Sequence, residues 1–202
     1  WTRIRDKFKG RRLAIYSSYI PCKSDNERGL WAMMAERLHG MDTRDGRDPK
    51  LAAMDDMLAD VDKQPAGTSI IIMMDANTVW SNAGKAVMTP DDKFYMRALR
   101  KRSEARGLIN AWEHQHGNSV CARTCVLGKA DGGSGTHIDH ILVSEDIAAS
   151  GIIQAVGVLD RTVNRSAHRP MCMDLDIETF LKDGKEGVGE GVRSTQMPVD
   201  DN

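Results

Sequence analysis

The stretch IIIMMDANTVWS, residues 70–81, contains the most β-like segment of the chain together with the polar turn that ends it. Residues 68–74, TSIIIMM, are apolar on both faces, which is typical of a central strand covered on both sides of a sheet. Asp75 and Asn77 follow directly where this strand ends. A strand fixes the position of such polar residues, while the turn leaves them open to a substrate. The segment therefore predicts a buried strand that ends at a candidate site.

Helical and strand-like patterns alternate around this segment and then give way to strands alone. Residues 12–20 are rich in β-formers, and apolar spacing predicts helices over 26–39, capped by Asp25, over 49–62 after Asp48, and from Pro90 to about Arg106 after the cap Thr89. Short β-like runs separated by Gly, Asn, Ser or Asp then occupy residues 107–112, 121–126, 136–144, 151–159 and 170–177. This order predicts an α/β domain of mixed or antiparallel sheets with helices on the outer faces.

Composition limits the classes of function. The 202 residues include 28 Lys+Arg and 29 Asp+Glu, for a net charge of −1, so a polybasic protein that binds nucleic acid by bulk charge is excluded. The chain is 41% hydrophobic and 28% charged, as in soluble globular proteins, and its longest apolar run, 70–74, is too short to span a membrane. The four cysteines, without a signal peptide, predict reduced thiols and an intracellular location, in the nucleus or cytoplasm.

Polar residues that could carry chemistry stand on or just after three of the β-like runs. A carboxylate and a carboxamide two residues apart, as in Asp75 and Asn77, can together hold a water molecule and a phosphate oxygen. A carboxylate on another strand, such as Asp139, can fix the tautomer of a histidine such as His168. Each also has a structural interpretation, because Asp75 can form an Asx turn, Asp139 can be a satisfied polar residue of a strand, and His168 can be a loop residue.

Five stretches, taken in order, resemble the endonuclease/exonuclease/phosphatase superfamily. They are YSSYIP (16–21), IIIMMDANTVWS (70–81), GLINAW (107–112), RTC (123–125) with THIDHILVS (136–144), and SAHRPM (166–171). The superfamily includes apurinic-site endonucleases, DNase I-like nucleases, inositol-phosphate 5-phosphatases and the endonuclease domains of non-LTR retrotransposons. The DxNT turn, the IDHILVS run and Thr124 before that run favour the retrotransposon endonucleases. The resemblance implies a DNase I-like α/β fold, a layered β-sandwich with outer helices.

The resemblance also implies roles for four catalytic residues. Asp75 would orient or deprotonate the attacking water, or assist the leaving oxygen, and Asn77 would position the water and contact the phosphate. His168 would donate a hydrogen bond to a phosphate oxygen as charge develops there, and Asp139 would hold its imidazole in place.

Further implications concern the substrate and the metal. Tyr19 would contact the phosphate or the leaving group, and Thr124 would touch the DNA backbone. The cofactor would be Mg²⁺ or Mn²⁺, and the partner would be the phosphate backbone of DNA, or of RNA. The terminal motif of the family is Ser-Asp-His, whereas this sequence has Ser166, Ala167 and His168, so a carboxylate expected near the metal is replaced by alanine.

The same resemblance bears on domain organisation. The family places its principal metal-binding Glu on strands that precede the YxP turn, and only 18 residues precede Tyr19 here. We therefore expect residues 1–181 to be the C-terminal portion of such a domain, without its N-terminal strands and the principal Glu, and part of a longer polyprotein. Residues 182–202 are polar, acidic and glycine-rich, which predicts a disordered tail.

Three functions remain open from the sequence. The first is metal-dependent phosphodiester hydrolysis by a DNA endonuclease of the retrotransposon type, inactive as this fragment. The second is a non-catalytic remnant that keeps the fold for binding, which Ala167 favours. The third is a phosphatase of phosphoinositides or other small phosphate esters. A cluster of basic residues on the predicted third helix favours nucleic acid over small esters, although such clusters are more often solvated faces. Its members are Arg97, Arg100, Lys101, Arg102 and Arg106.

Overall fold

The computed structural model describes residues 2–8, 11–23, 28–41, 47–119, 121–126, 135–159 and 166–182. Its strands are β1 (Thr2–Phe8), β2 (Arg11–Tyr19), β3 (Thr68–Asp75), β4 (Leu108–Asn110), β5 (Cys125–Val126), β6 (Gly135–Thr136), β7 (Asp139–Ser144), β8 (Ile153–Val158) and β9 (Met171–Leu175). Its helices are α1 (Leu30–His39), α2 (Pro49–Asp62), α3 (Pro90–Glu104), α4 (Ala111–His116), α5 (Glu145–Ala149) and α6 (Ile177–Lys182).

A mixed five-stranded sheet in the order β1-β2-β3-β7-β4 forms the centre of the fold. β2 and β3 are parallel, and the other neighbouring strands are antiparallel. The register places Tyr19 of β2 beside Asp75 of β3, and Asp75 beside Asp139 of β7. Three residues predicted for the site therefore stand in a row at one end of the central strands.

The side chains of β3 divide between two hydrophobic cores, one on each face of the sheet. Ile70, Ile72 and Met74 belong to the first core together with Leu58 of α2. Ile71 belongs to the second core, which α4, α5, α6 and the two-stranded β8-β9 sheet complete. Burial on both faces explains why this segment is apolar at consecutive positions. The structure thus confirms a layered α/β fold with helices outside the sheet.

Capping residues set the beginnings of the two long helices as the sequence predicts. The Asp48 side chain accepts hydrogen bonds from the first backbone amides of α2, where Pro49 occupies the first turn. Thr89 and Asp92 form a reciprocal capping box at the beginning of α3. α1 begins only at Leu30, after Gly29, and the predicted cap Asp25 lies outside the described residues.

Several predicted strands are shorter in the structure. The predicted strand 107–112 ends as β4 at Asn110, because the Asn110 side chain accepts a hydrogen bond from the Glu113 amide and begins α4. Of 121–126, only the last two residues form a strand. β1, α5 and α6 have no counterpart among the predicted elements. α6 extends to Lys182, and the rest of the predicted tail lies outside the described residues.

The predicted basic cluster on α3 is largely engaged in ion pairs. Arg102 bonds Asp55 of α2, and Arg106 bonds Asp62 at the end of α2, each at 2.8 Å. Arg100 pairs with both Glu104 and Glu113. These three arginines therefore hold α3 against its neighbours and do not form an open cationic surface. In the described ranges, no helix is both long enough and apolar enough to cross a membrane.

Candidate active site

Asp75, Asp139 and His168 come together at the end of the central strands. One ligand atom of each lies within 4.8 Å of the others, and all three residues are partly buried. His168 Nδ1 lies 3.1 Å from both carboxylate oxygens of Asp139, and Nε2 lies 3.9 Å from Asp75 Oδ2. Donation to Asp139 requires the proton on Nδ1, so Nε2 is the nitrogen directed towards Asp75 and any ligand. This cluster is the only group of three potential metal ligands in the part of the chain that the structure describes.

Thr124 fixes the first residue of β7 and so positions Asp139. Its side chain is fully buried, and its Oγ1 accepts hydrogen bonds from the amides of Ile138 at 3.0 Å and Asp139 at 3.1 Å. The Thr124 carbonyl also accepts a hydrogen bond from the amide of Arg169, next to His168. The hydroxyl of Thr124 is enclosed and already bonded, so its side chain has no exposed surface for the predicted contact with the DNA backbone. Thr124 lies behind the site, where it joins the strand that carries Asp139 to the segment that carries His168.

The segment that carries His168 is anchored to β5. His168 pairs with Cys125 in an isolated bridge, and the carbonyl of Ala167 accepts a hydrogen bond from the amide of Val126 at 3.0 Å. The amide of His168 donates to Ser166 Oγ, which tightens the turn before the histidine. Ala167, where the family pattern has aspartate, is thus held by its backbone directly beside the site.

The turn after β3 is an Asx turn and also part of the candidate site. Asp75 Oδ1 accepts the amide of Asn77 at 3.0 Å, which is an Asx turn, while Oδ2 is the oxygen that faces His168. Asn77 has φ of 45°, in the left-handed region that residues with a Cβ rarely adopt. Its Nδ2 donates to the carbonyl of Ile20, which ties this turn to the end of β2. The local turn therefore supports the site geometry instead of competing with it.

Burial raises the pKa of the Asp75 carboxyl above its usual range. A hydrogen bond from the Asn77 amide acts in the opposite direction, the negative charge of Asp139 raises the pKa further, and His168 and Lys50 lower it. A carboxylate whose pKa is raised towards neutrality is a better proton acceptor than an exposed aspartate.

Tyr19 occupies an open position beside this turn. It ends β2 opposite Asp75, and half of its surface, 51%, is exposed. Partial burial raises the pKa of its hydroxyl, so the group remains protonated at neutral pH.

Next to the site lies an open cavity of about 310 Å³, lined among others by Met73 and Met171. Asp75 and Asp139 are among its lining residues, so a ligand that enters the cavity reaches both carboxylates.

Two buried histidines behind the turn were not among the predicted site residues. His140 Nε2 donates to the carbonyl of Thr78 at 2.8 Å, which leaves Nδ1 to accept from Asn110. His137 stacks on His140 with ring centroids 5.1 Å apart. Burial lowers the pKa of His140 to about 3 and that of His137 to about 4, so both rings are neutral at physiological pH. A histidine inside the apolar run DHILV, as at His140, is the sequence signal that indicates such a buried support.

The donor set fits a divalent cation. Two carboxylates and an imidazole nitrogen lie within reach of one point, and Mg²⁺ or Mn²⁺ is commonly held by one or two carboxylates together with water and phosphate oxygens. Asp75 and Asp139 would supply the carboxylate oxygens, and His168 Nε2 would stay available to donate a hydrogen bond to the substrate. The raised pKa of Asp75 agrees with this, because a nearby cation would offset the cost of burying its charge.

Comparisons with known proteins agree with the fold. No family model matches the sequence, and no curated protein sequence matches it. Solved structures do match: an AP endonuclease from Leishmania major (12% identity, TM-score 0.53), a Neisseria 3′ phosphatase bound to product DNA hairpin (16%, 0.53), and an AP endonuclease from Archaeoglobus fulgidus (17%, 0.52). The matches cover 82%, 86% and 86% of this chain, but only 50%, 64% and 65% of those chains. At this level of identity the comparison establishes the DNase I-like fold, over about half to two thirds of the length of those proteins.

Proposed function

We propose that the cluster of Asp75, Asp139 and His168 hydrolyses phosphodiester bonds in nucleic acid with the help of a divalent metal ion. The observation that carries this proposal is the convergence of the three side chains within 4.8 Å at the open end of the sheet. Proteins of the same fold include AP endonucleases and a phosphatase bound to a DNA hairpin, which supports nucleic acid as the substrate class.

Each residue has a role that follows from its contacts. Asp75, with its raised pKa, accepts a proton from the attacking water or assists the leaving oxygen. His168, held through Nδ1 by Asp139, donates from Nε2 to a phosphate oxygen when its ring is protonated. Tyr19, protonated and half exposed, donates a hydrogen bond to the phosphate or leaving group, and Asn77 positions the water beside it. A divalent cation bound here supplies Lewis-acid stabilisation of charge on the phosphate.

Within this class we propose a DNA endonuclease of the retrotransposon type, in a chain that belongs to a longer polyprotein. The Asp75-Ala76-Asn77-Thr78 turn and the IDHILVS run, residues 138–144, support it. Because Ala167 removes one expected carboxylate beside the site, we expect hydrolysis by this chain alone to be slow or absent. A reverse-transcriptase-like region encoded downstream would support the assignment, and a different enzyme encoded there would refute it.

The second candidate function is binding of DNA without hydrolysis. Ala167 favours it, since the Asp139–His168 pair and the turn at Asp75 are kept while a charge expected beside them is replaced. A non-catalytic protein keeps the surface that recognises phosphate but loses the affinity for metal.

One experiment separates the two candidates. Nicking of supercoiled DNA is measured with Mg²⁺ or Mn²⁺, with chelator as the control, together with binding to a fluorescent DNA hairpin. His168→Ala removes the proposed donor, and His114→Ala, at an exposed histidine of α4, is the matched control. Chelator-sensitive nicking that falls about 100-fold only in His168→Ala supports hydrolysis. Hairpin binding with neither nicking nor Mn²⁺ binding supports the second candidate, whereas hairpin binding with Mn²⁺ binding but no nicking supports a hydrolase weakened by Ala167. The absence of both hairpin binding and nicking refutes the two together.

A further inference from the structure

Lys50 is a buried cation next to the candidate site that sequence reasoning did not single out. It is the second residue of α2, and only 4% of it is exposed. Its ammonium donates a hydrogen bond to the backbone carbonyl of Asn77 and lies 4.7 Å from the centre of the Tyr95 ring. Lysine is rarely buried in this way, because removing its charge from water is costly unless partners compensate.

The position of Lys50 is unfavourable for the helix that carries it. The N-terminus of a helix carries a partial positive charge and favours anions, yet the first turn of α2 contains no acidic residue. A cation at this point therefore weakens α2 electrostatically, and the cap Asp48 offsets only part of the effect. Burial lowers the pKa of Lys50 to about 8, which shows how strongly the site opposes its charge. Helix stability alone does not explain a lysine here, whereas its bond to Asn77 does.

Asn77, whose carbonyl Lys50 binds, has an unusual backbone conformation. Asn77 is the only non-glycine residue with positive φ among the residues that the structure describes. Its amide and its side chain are bonded to Asp75 and Ile20, and its carbonyl is the group that Lys50 binds. The next carbonyl, that of Thr78, is held by the neutral ring of His140 on the other side. Lys50 therefore supplies the charged contact in the set that maintains this turn.

We propose that Lys50 is a positioning residue of the candidate site, whose ammonium holds the Asn77 carbonyl and so keeps Asp75 and Asn77 in the geometry that meets a substrate. This inference rests on the proposed function and adds a residue that touches neither metal nor phosphate. Displacing a turn that carries reacting groups by about 1 Å can lower turnover by about 100-fold. Loss of the Lys50 ammonium should therefore reduce turnover more than substrate binding.

The charges that face Lys50 come from four elements, and they define its titration. They are Cys22 after β2, Asp48 before α2, Asp92 of α3 and Asp75 of β3, and all four favour the charged form of the lysine. Because burial outweighs them, the ammonium loses its proton near pH 8, and its charged contact with Asn77 weakens above that pH. The amide signals of Asn77 and its neighbour Thr78 should report this change directly.

The test uses nuclear magnetic resonance on the full chain, because this readout does not depend on catalysis. Lys50→Met keeps the aliphatic stem and removes the donor, and Lys63→Met, at the exposed cap after α2, is the matched control. In the unmodified chain the amide shifts of Asn77 and Thr78 should titrate with a midpoint of about 8. In Lys50→Met this titration should disappear and the Cα shift of Asn77 should leave its left-handed value, while Lys63→Met should retain both features.

Two results would overturn the proposal. The first is a folded Lys50→Met protein whose Asn77 signals match those of the unmodified chain. The second, which holds even if Lys50→Met does not fold, is a titration of the Lys50 side chain, followed at its own signals in the unmodified chain, that leaves the Asn77 and Thr78 amides unchanged. Where nicking is measurable, Lys50→Met should lower kcat about tenfold or more with KM nearly unchanged. Absence of both nicking and Mn²⁺ binding would count against the proposed hydrolysis, whereas the resonance results judge Lys50 by themselves.

Discussion

Thr124→Val should destabilise the protein strongly, although the two side chains have nearly the same shape. The substitution removes the one oxygen that accepts both the Ile138 and the Asp139 amides, at 3.0 and 3.1 Å, inside a site with no exposed surface at Thr124. Each buried amide left without an acceptor costs about 1–3 kcal/mol. The two together should lower the free energy of unfolding by about 2–6 kcal/mol, which is a large fraction of the stability of a typical domain.

Thr124→Ser is the matched control, because it keeps the hydroxyl and removes only one methyl group. Its expected cost is about 1 kcal/mol, the usual value for one buried methyl. Both variants are compared with the unmodified chain by urea denaturation at neutral pH, followed by circular dichroism. If Thr124→Val loses no more stability than Thr124→Ser, the two amides do not depend on the hydroxyl, and the role given to Thr124 is wrong.

Three further predictions follow from the buried histidines, from Ala167 and from the ion pairs of α3. The pKa values of His137 and His140 fall to about 4 and about 3 on folding, so below pH 6.5 the unfolded chain binds more protons than the folded chain. The free energy of unfolding should therefore fall by about 1.4 kcal/mol per pH unit for each histidine as the pH is lowered from 6.5 to about 4. A free energy of unfolding that stays constant over this window in urea denaturation would exclude the neutral burial of both rings. Ala167→Asp should tighten Mn²⁺ binding about tenfold in calorimetry, and unchanged affinity would place Ala167 away from the metal. Arg106→Gln should lower the free energy of unfolding by less than about 1 kcal/mol, because the Arg106 guanidinium is paired with Asp62 at a part-exposed site. The affinity for a DNA hairpin should stay within about twofold. A larger loss of affinity would show that the basic residues of α3 do form a cationic surface that binds DNA.

The elements that could be predicted from the sequence are those with strong local signals. β3 is a continuous apolar run because both of its faces are covered, and α2 and α3 begin where Asp48 and Thr89 cap them. α4 was missed because its β-like sequence follows a strand directly, although Asn110 with Glu113 at the third helical position is a capping signal. Local patterns thus identify an element when its own residues provide the stabilising contacts.

The candidate site shows where such reasoning ends. Asp75, Asp139 and His168 were identified through motifs, and the structure brings them together. The bonds from the Ile138 and Asp139 amides to Thr124 could not be predicted, because whether a hydroxyl faces solvent or a strand depends on partners distant in the sequence. Lys50 gave no signal at all, since a lysine in the first turn of a helix is ordinarily a surface residue. Residues that support the site from behind are defined by tertiary contacts, so their roles become visible only in the folded protein.

The central claim is that Asp75 and Asp139, beside His168, form a divalent-metal site. Titration of the isotope-labelled chain with Mn²⁺ tests it most directly, because the paramagnetic ion broadens the resonances of the groups nearest to it. The account predicts that signals of these three residues broaden first, that the effect disappears in Asp75→Asn and Asp139→Asn, and that excess chelator reverses it. Broadening centred on another acidic region, or broadening unchanged in both variants, would contradict the account.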